Sequence, residues 1–258
     1  MTDCKTFFWN YRNLSGKGIQ PIASPVRKMV VLLHGYMGDA ESNMDFAKKI
    51  CTACPQTVVL VPNGLQAVPP ANDPEHRQWY PLPETADADG KLYSFMPYYA
   101  PAEKQEQMRK TTPYIQKTAK LLNQFFQQQA KKYNLALSDC FLAGISQGGI
   151  TAYDMVLFRK ELHQDRTNQF LGGLIIIGAG INEADRLNAS DHTSVPPIPV
   201  LLARGKHDEI FPKTVDYFST AQLRRLKMPV EMTEADSVHF GLEHKVCDAV
   251  CGFIRRHS

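Results

Sequence analysis

At 258 residues the chain is long enough to bury a sizeable hydrophobic core and far too long for a disulfide-stapled miniprotein or a peptide hormone. Hydrophobic residues make up 43% and charged residues 21%, close to the globular average, which excludes a disordered chain and a membrane-embedded one. The net charge of +3 is too small to require nucleic acid or an acidic membrane as partner, so chemistry on a small molecule or an acyl chain is expected.

Residues 1–10 carry an acid and lack the basic start and apolar stretch of a secretory signal. The longest apolar runs, such as 29–33 and 174–177, fall far short of the roughly 20 residues of a spanning helix. A cytoplasmic location is expected. The 6 cysteines are scattered, and free thiols are the expected state. Cys51 and Cys54 form a CxxC pair, but no second pair or histidine follows at zinc-finger spacing, so no metal is implied.

Short apolar runs alternate with segments of helical period, the pattern of an α/β protein with a mainly parallel sheet. The predicted strands are 28–33, 57–61, 139–143, 173–177, 199–204 and 230–234, most of them with consecutive Val, Ile and Leu. Predicted helices cover 114–133, 148–162, 212–226 and 242–255. In the first of these, Ile115, Ala119, Leu122, Phe126, Ala130 and Tyr133 form one apolar stripe. Pro212 suits the first turn of the third. Segment 65–113 breaks the rhythm with eight of the 17 prolines and a set of aromatics that includes Trp79, Tyr80 and Phe95. Excursions of this length in a compact domain are usually functional or disordered, and its rings argue for order. With no internal repeat, residues 1–258 read as a single domain.

The strongest local motif is Gly144-Ile145-Ser146-Gln147-Gly148, directly after a predicted strand and before a predicted helix. A strand-to-helix turn this tight needs minimal side chains two residues either side of the serine, whose oxygen it leaves exposed. The amide of Gln147, at the positive end of the helix, is then placed to donate to a developing oxyanion. A serine hydroxyl needs a base and an orienting acid, which in this context follow it in the chain. Asp208, after the strand 199–204, is the expected acid, with Asp236 as the alternative. His239, in the turn after the last strand, is the expected base, with His244 as the alternative. The glycine-flanked loop after the first strand offers a second oxyanion donor, the amide of Tyr36 or, failing that, of Met37.

Together, Leu32 to Gly38, Gly144 to Gly149, Arg204 to Pro212 and Asp236 to His239 resemble the motifs of the phospholipase/carboxylesterase family of α/β-hydrolases. That family includes acyl-protein thioesterases and small carboxylesterases. The likeness runs from Met29 to about Leu242. Arg204 stands where the family usually has histidine, and Asp236 and Val238 stand where it has glycines. Arg77-Gln78-Trp79-Tyr80 resembles a Trp-aromatic motif placed near the acyl pocket in bacterial members. The resemblance implies an α/β-hydrolase fold with helices on both faces of the sheet and no separate cap domain. It also implies a serine hydrolase that cleaves small-molecule esters or acyl-thioesters through an acyl-enzyme, without cofactor or metal. Met37, Trp79, Tyr80 and Phe95 are the expected substrate-binding residues. A peptidase of the same fold, or a binding protein that kept the fold without the chemistry, are the alternatives.

Overall fold

The computed structural model describes residues 3–69, 76–82, 110–158, 171–181 and 197–257. Eight strands form one sheet: β1 (Cys4–Tyr11), β2 (Leu14–Pro21), β3 (Lys28–Leu33), β4 (Thr57–Pro62), β7 (Cys140–Ile145), β8 (Gly173–Ile177), β9 (Val200–Gly205) and β10 (Val230–Ala235). Their order across the sheet is β1-β2-β4-β3-β7-β8-β9-β10. From β4 to β10 every pairing is parallel, while β1 and β2 add antiparallel at one edge. A two-stranded ribbon, β5 (Gln66–Ala67) with β6 (Arg77–Gln78), stands apart from this sheet.

All six predicted strands form, each within a residue or two of its expected bounds. The reason is visible in the side-chain alternation. Met29, Val31 and Leu33 enter one apolar layer and Val30 and Leu32 the other, and the same division splits Val58 and Leu60 from Val59 and Val61, and Leu174 and Ile176 from Ile175 and Ile177. A strand covered on both faces has no polar side, which is why its sequence reads as an unbroken apolar run.

Helices cover both faces. On one side lie α2 (Thr112–Lys132), α3 (Gln147–Leu157) and α4 (Lys213–Arg225), contributing Ile115, Leu122, Phe126, Ile150, Val156, Val215 and Leu223 to the first layer. On the other lie α1 (Met44–Ala53), α5 (Leu242–Lys245) and α6 (Cys247–Arg256), contributing Phe46, Ile50, Val250, Phe253 and Ile254 to the second. Pro212 proves to be the N-cap of α4 rather than its first residue. The helix predicted over 242–255 is broken at Val246 into α5 and α6.

The β1–β2 hairpin and helix α1, like the β5–β6 ribbon, were not predicted. The β1–β2 hairpin has only the short run Phe7-Phe8-Trp9 to mark it; it depends on aromatic rings lying over glycines. Phe7 pairs with Gly18 and Trp9 with Gly16, and a Cβ on Gly18 would stand 2.4 Å from the Phe7 ring. Trp9 then stacks on Phe125 of α2 at 4.4 Å between centroids. Helix α1 contains the first cysteine of the CxxC pair and is capped at its C-terminus by the second. Cys51 and Cys54 are buried, and Cys54 Sγ lies 3.6 Å from the Cys251 carbonyl oxygen of α6, so these thiols fill a helix–helix contact. Among the described residues no group of side chains is arranged to hold a metal ion.

Candidate active site

Because β3, β7, β8, β9 and β10 run parallel, their carboxyl ends share one edge, where ligand sites of open α/β sheets gather. The sequence-predicted residues meet there: His34 to Gly38 after β3, Ser146 after β7, Asp208 after β9 and His239 after β10.

Ser146 occupies the turn from β7 into α3 with φ 51° and ψ −118°, a conformation costly for a residue with a Cβ. The amide of Ser146 donates to the Ile177 carbonyl oxygen of β8 at 2.9 Å, holding the turn to the sheet. The flanking glycines are there for space: a Cβ on Gly144 would lie 2.5 Å from the Gly148 carbonyl oxygen, and one on Gly148 would lie 2.4 Å from the Leu33 carbonyl oxygen. Both contacts are with backbone, which cannot swing aside.

The Ser146 hydroxyl donates to His239 Nε2 at 3.0 Å. His239 Nδ1–H donates to Asp208 Oδ2 at 2.8 Å. The other oxygen, Asp208 Oδ1, accepts the amides of Ile210 at 3.0 Å and Phe211 at 2.8 Å, so the carboxylate is fixed at both ends. The Phe211 ring stacks on the imidazole at 5.5 Å between centroids. The alternatives are elsewhere. Asp236 is exposed and paired with His207, and His244 is exposed beside Glu243.

His34 is fully buried and serves as a brace. Its Nε2 accepts the Gly64 amide at 2.8 Å, which forces the proton onto Nδ1, where it donates to the Gly35 carbonyl oxygen at 2.7 Å. Burial lowers its pKa from 6.5 to about 4, outweighing the Gly35 hydrogen bond that works in the opposite direction. The ring is therefore neutral at neutral pH.

The loop that follows is gripped by β6. The Met37 amide donates to the Arg77 carbonyl oxygen at 3.0 Å, and the Arg77 amide donates to the Gly38 carbonyl oxygen at 3.1 Å. Met37 adopts φ 64° between them. The Met37 amide is thus already committed to Arg77, unlike the expectation that kept it as a candidate oxyanion donor. The Gln147 amide lies in the first turn of α3, where no intrahelical acceptor exists.

A cleft of about 470 Å³ opens over Ser146 and His239. Among the described residues it is walled by the loop Gly35 to Gly38, Asn43, Ile145, Ile210, Phe240 and Glu243. Met37 is in this wall, half exposed. Trp79 and Tyr80 are not, and this corrects the sequence expectation. Both are buried to 1% exposure or less, with Trp79 Nε1–H donating to the His34 carbonyl oxygen at 2.7 Å and the Trp79 carbonyl oxygen accepting the Thr118 hydroxyl at 2.8 Å. The Gln147 side chain joins them to the elbow: its Oε1 accepts the Trp79 amide at 2.9 Å and its Nε2 donates to the Tyr80 carbonyl oxygen at 3.0 Å. The sequence pointed only to a backbone role for Gln147 and named Arg77 only as part of the Arg77-Gln78-Trp79-Tyr80 motif, not as the grip on the loop after β3. Phe95 lies outside the described residues.

A family model described as Phospholipase/Carboxylesterase matches residues 15–258. Among solved structures, esterase PE8 superimposes with a TM-score of 0.73 at 21% identity, over 95% of this chain and 99% of that one. SOBER1 from Arabidopsis thaliana gives 0.66 at 15% identity, over 90% and 99%. A carboxylesterase from Mesorhizobium loti gives 0.64 at 14% identity, over 96% and 99%. At these identities the structures establish a shared fold.

Proposed function

Because the chain belongs to the phospholipase/carboxylesterase family of α/β-hydrolases, we propose that it is a serine hydrolase, one domain that cleaves small-molecule carboxylic esters or thioesters through an acyl-enzyme. The observation that carries this reading is the unbroken hydrogen-bond chain from Ser146 through His239 to Asp208. In this reading Ser146 Oγ attacks the acyl carbonyl carbon while His239 Nε2 takes its proton, and Asp208 holds the imidazole in the tautomer that can accept it. The carbonyl oxygen, now an anion, is met by the Gln147 amide. A second donor comes from the loop after β3, and with the Met37 amide held by Arg77 the role falls to Tyr36. Each such donor contributes on the order of a hundredfold or more in rate. His239 returns the proton to the departing alcohol or thiol, and water, activated by the same base, releases the acid.

Among the described residues no helix is long and apolar enough to cross a membrane. A cytoplasmic setting completes the proposal, supported by six cysteines of which none is in a disulfide.

A fluorophosphonate probe should label the wild-type protein and not Ser146→Ala, and the variant should lose p-nitrophenyl ester hydrolysis by at least about 10⁴-fold. Retained turnover in the purified variant would sink the mechanism.

A further inference from the structure

The cleft over Ser146 contains a charge that acyl transfer does not use. Glu243, in α5, lines it together with Ser146, His239 and Phe240, its side chain 18% exposed. No lysine or arginine is among the described residues that line the cleft. The imidazole of His244 approaches Glu243 Oε1 only to 3.5 Å, and its side chain is 41% exposed.

Chemistry tells which part of a substrate Glu243 would face. His239 must hand its proton to the leaving oxygen, so the departing group lies against the wall that contains His239, opposite the amides that hold the oxyanion. Phe240, Gly241 and Glu243 continue that wall directly along the chain. The Phe240 and His239 rings meet in a T-shaped arrangement, 5.5 Å between centroids and 82° between planes, and 78% of Phe240 is exposed. A carboxylate and an exposed aromatic ring in one cleft wall are the pair of groups that attracts an alkylammonium ion. A leaving group carrying a carboxylate would meet repulsion from Glu243 and, among the described lining residues, no lysine or arginine to compensate it.

Building on the serine-hydrolase reading above, we propose that the leaving-group side of this cleft selects esters of cationic amino alcohols, with Glu243 as counter-ion and Phe240 as the surface under the ammonium group. The reaction is ordinary hydrolysis. The serine oxygen bonds to the acyl carbon, the carbon–oxygen bond to the amino alcohol breaks, and the serine proton passes through His239 to the leaving oxygen. Water then restores Ser146 and frees the carboxylic acid.

The test compares butyrylcholine with the dimethylbutyl butyrate in which carbon replaces the ammonium nitrogen, two substrates of the same shape. Wild-type protein should favour the choline ester by about tenfold in kcat/KM. Glu243→Gln should bring that ratio close to one, and Glu243→Lys should invert it and gain activity on a butyrate ester whose alcohol carries a carboxylate. That gain is a signal a misfolded variant cannot give. A wild-type ratio of one or below, or a ratio unmoved in both variants, overturns the inference and leaves the hydrolase reading standing, as does a protein labelled at Ser146 by fluorophosphonate that turns over neither ester. Absence of both labelling and turnover overturns the hydrolase reading itself.

Discussion

Asp208 shows how one side chain can serve two structural ends. Its Oδ1 ties down the Ile210 and Phe211 amides of its own loop, while Oδ2 accepts the hydrogen bond from His239 Nδ1–H. Exchanging it for asparagine separates these roles. The amide oxygen can still accept the two backbone N–H groups, but the amide NH₂ would then face His239 Nδ1 and donate to it. The ring proton would move to Nε2, where it can no longer accept the Ser146 hydroxyl. Asp208→Asn should therefore lower kcat by about 10⁴-fold with little change in thermal midpoint. Ester turnover alongside a melting curve checks this, and a small drop in kcat would mean that Asp208 does not set the tautomer.

At the scale of elements, β6 and the residues just after it act as a bracket. Arg77 holds the loop Gly35 to Gly38, and Trp79 and Tyr80 are bound to the Gln147 side chain, so one short segment fixes the loop after β3 relative to the nucleophile turn. The Trp79 indole N–H reaches the His34 carbonyl oxygen in a fully buried setting. Trp79→Phe keeps an aromatic ring but leaves that carbonyl unpaired, a loss of about 1–3 kcal/mol readable in the urea midpoint. The chain-length preference among p-nitrophenyl esters should stay as in the wild type, since Trp79 is not in the cleft wall. A shifted preference would restore this residue to the acyl site.

Across the whole molecule, two buried titratable groups oppose each other. Asp216, in α4, is raised from 3.8 to about 7 because burial outweighs the attraction of Arg204, whose Nε is 3.8 Å from Oδ2, and the charge of Asp208 adds to the rise. Between pH about 4 and about 7 the native state therefore holds a proton on Asp216 that the unfolded chain has released, and stability falls as pH rises. His34, lowered to about 4, does the reverse: between about 6.5 and about 4 the unfolded chain takes up a proton that the native state refuses, and stability falls as pH drops. One proton each over nearly the same window gives opposite slopes of about 1.4 kcal/mol per pH unit, so the two largely cancel. Asp216→Asn removes one side of this balance. Its stability should fall more steeply than the wild type's from pH about 6.5 to about 4, as measured by urea unfolding across that range. Parallel curves would show that the two groups are not coupled to folding in this way.

The sequence determined the elements that declare themselves locally. Doubly covered strands have no choice but continuous apolar runs, and a turn as tight as Gly144 to Gly148 has no choice but glycine, so the central sheet and the position of Ser146 were legible before any coordinates. The order in which an acid and a histidine follow such a serine, with their places after predicted strands, favoured Asp208 and His239 but left Asp236 and His244 as alternatives. Only the tertiary structure decided what depends on residues far apart in the chain. The β1–β2 hairpin rests on Phe7 and Trp9 meeting glycines across a strand pair and Phe125 from α2, none of which leaves a periodic trace. The direction in which Trp79 and Tyr80 face, toward the core and the Gln147 side chain rather than the cleft, is set by hydrogen bonds to partners 45 and 67 or more residues away. The placing of Glu243 in the wall beside His239 follows from a left-handed turn at Gly241 and the short helix after it. Local pattern encodes what a segment must become; which other segment it meets is decided by packing.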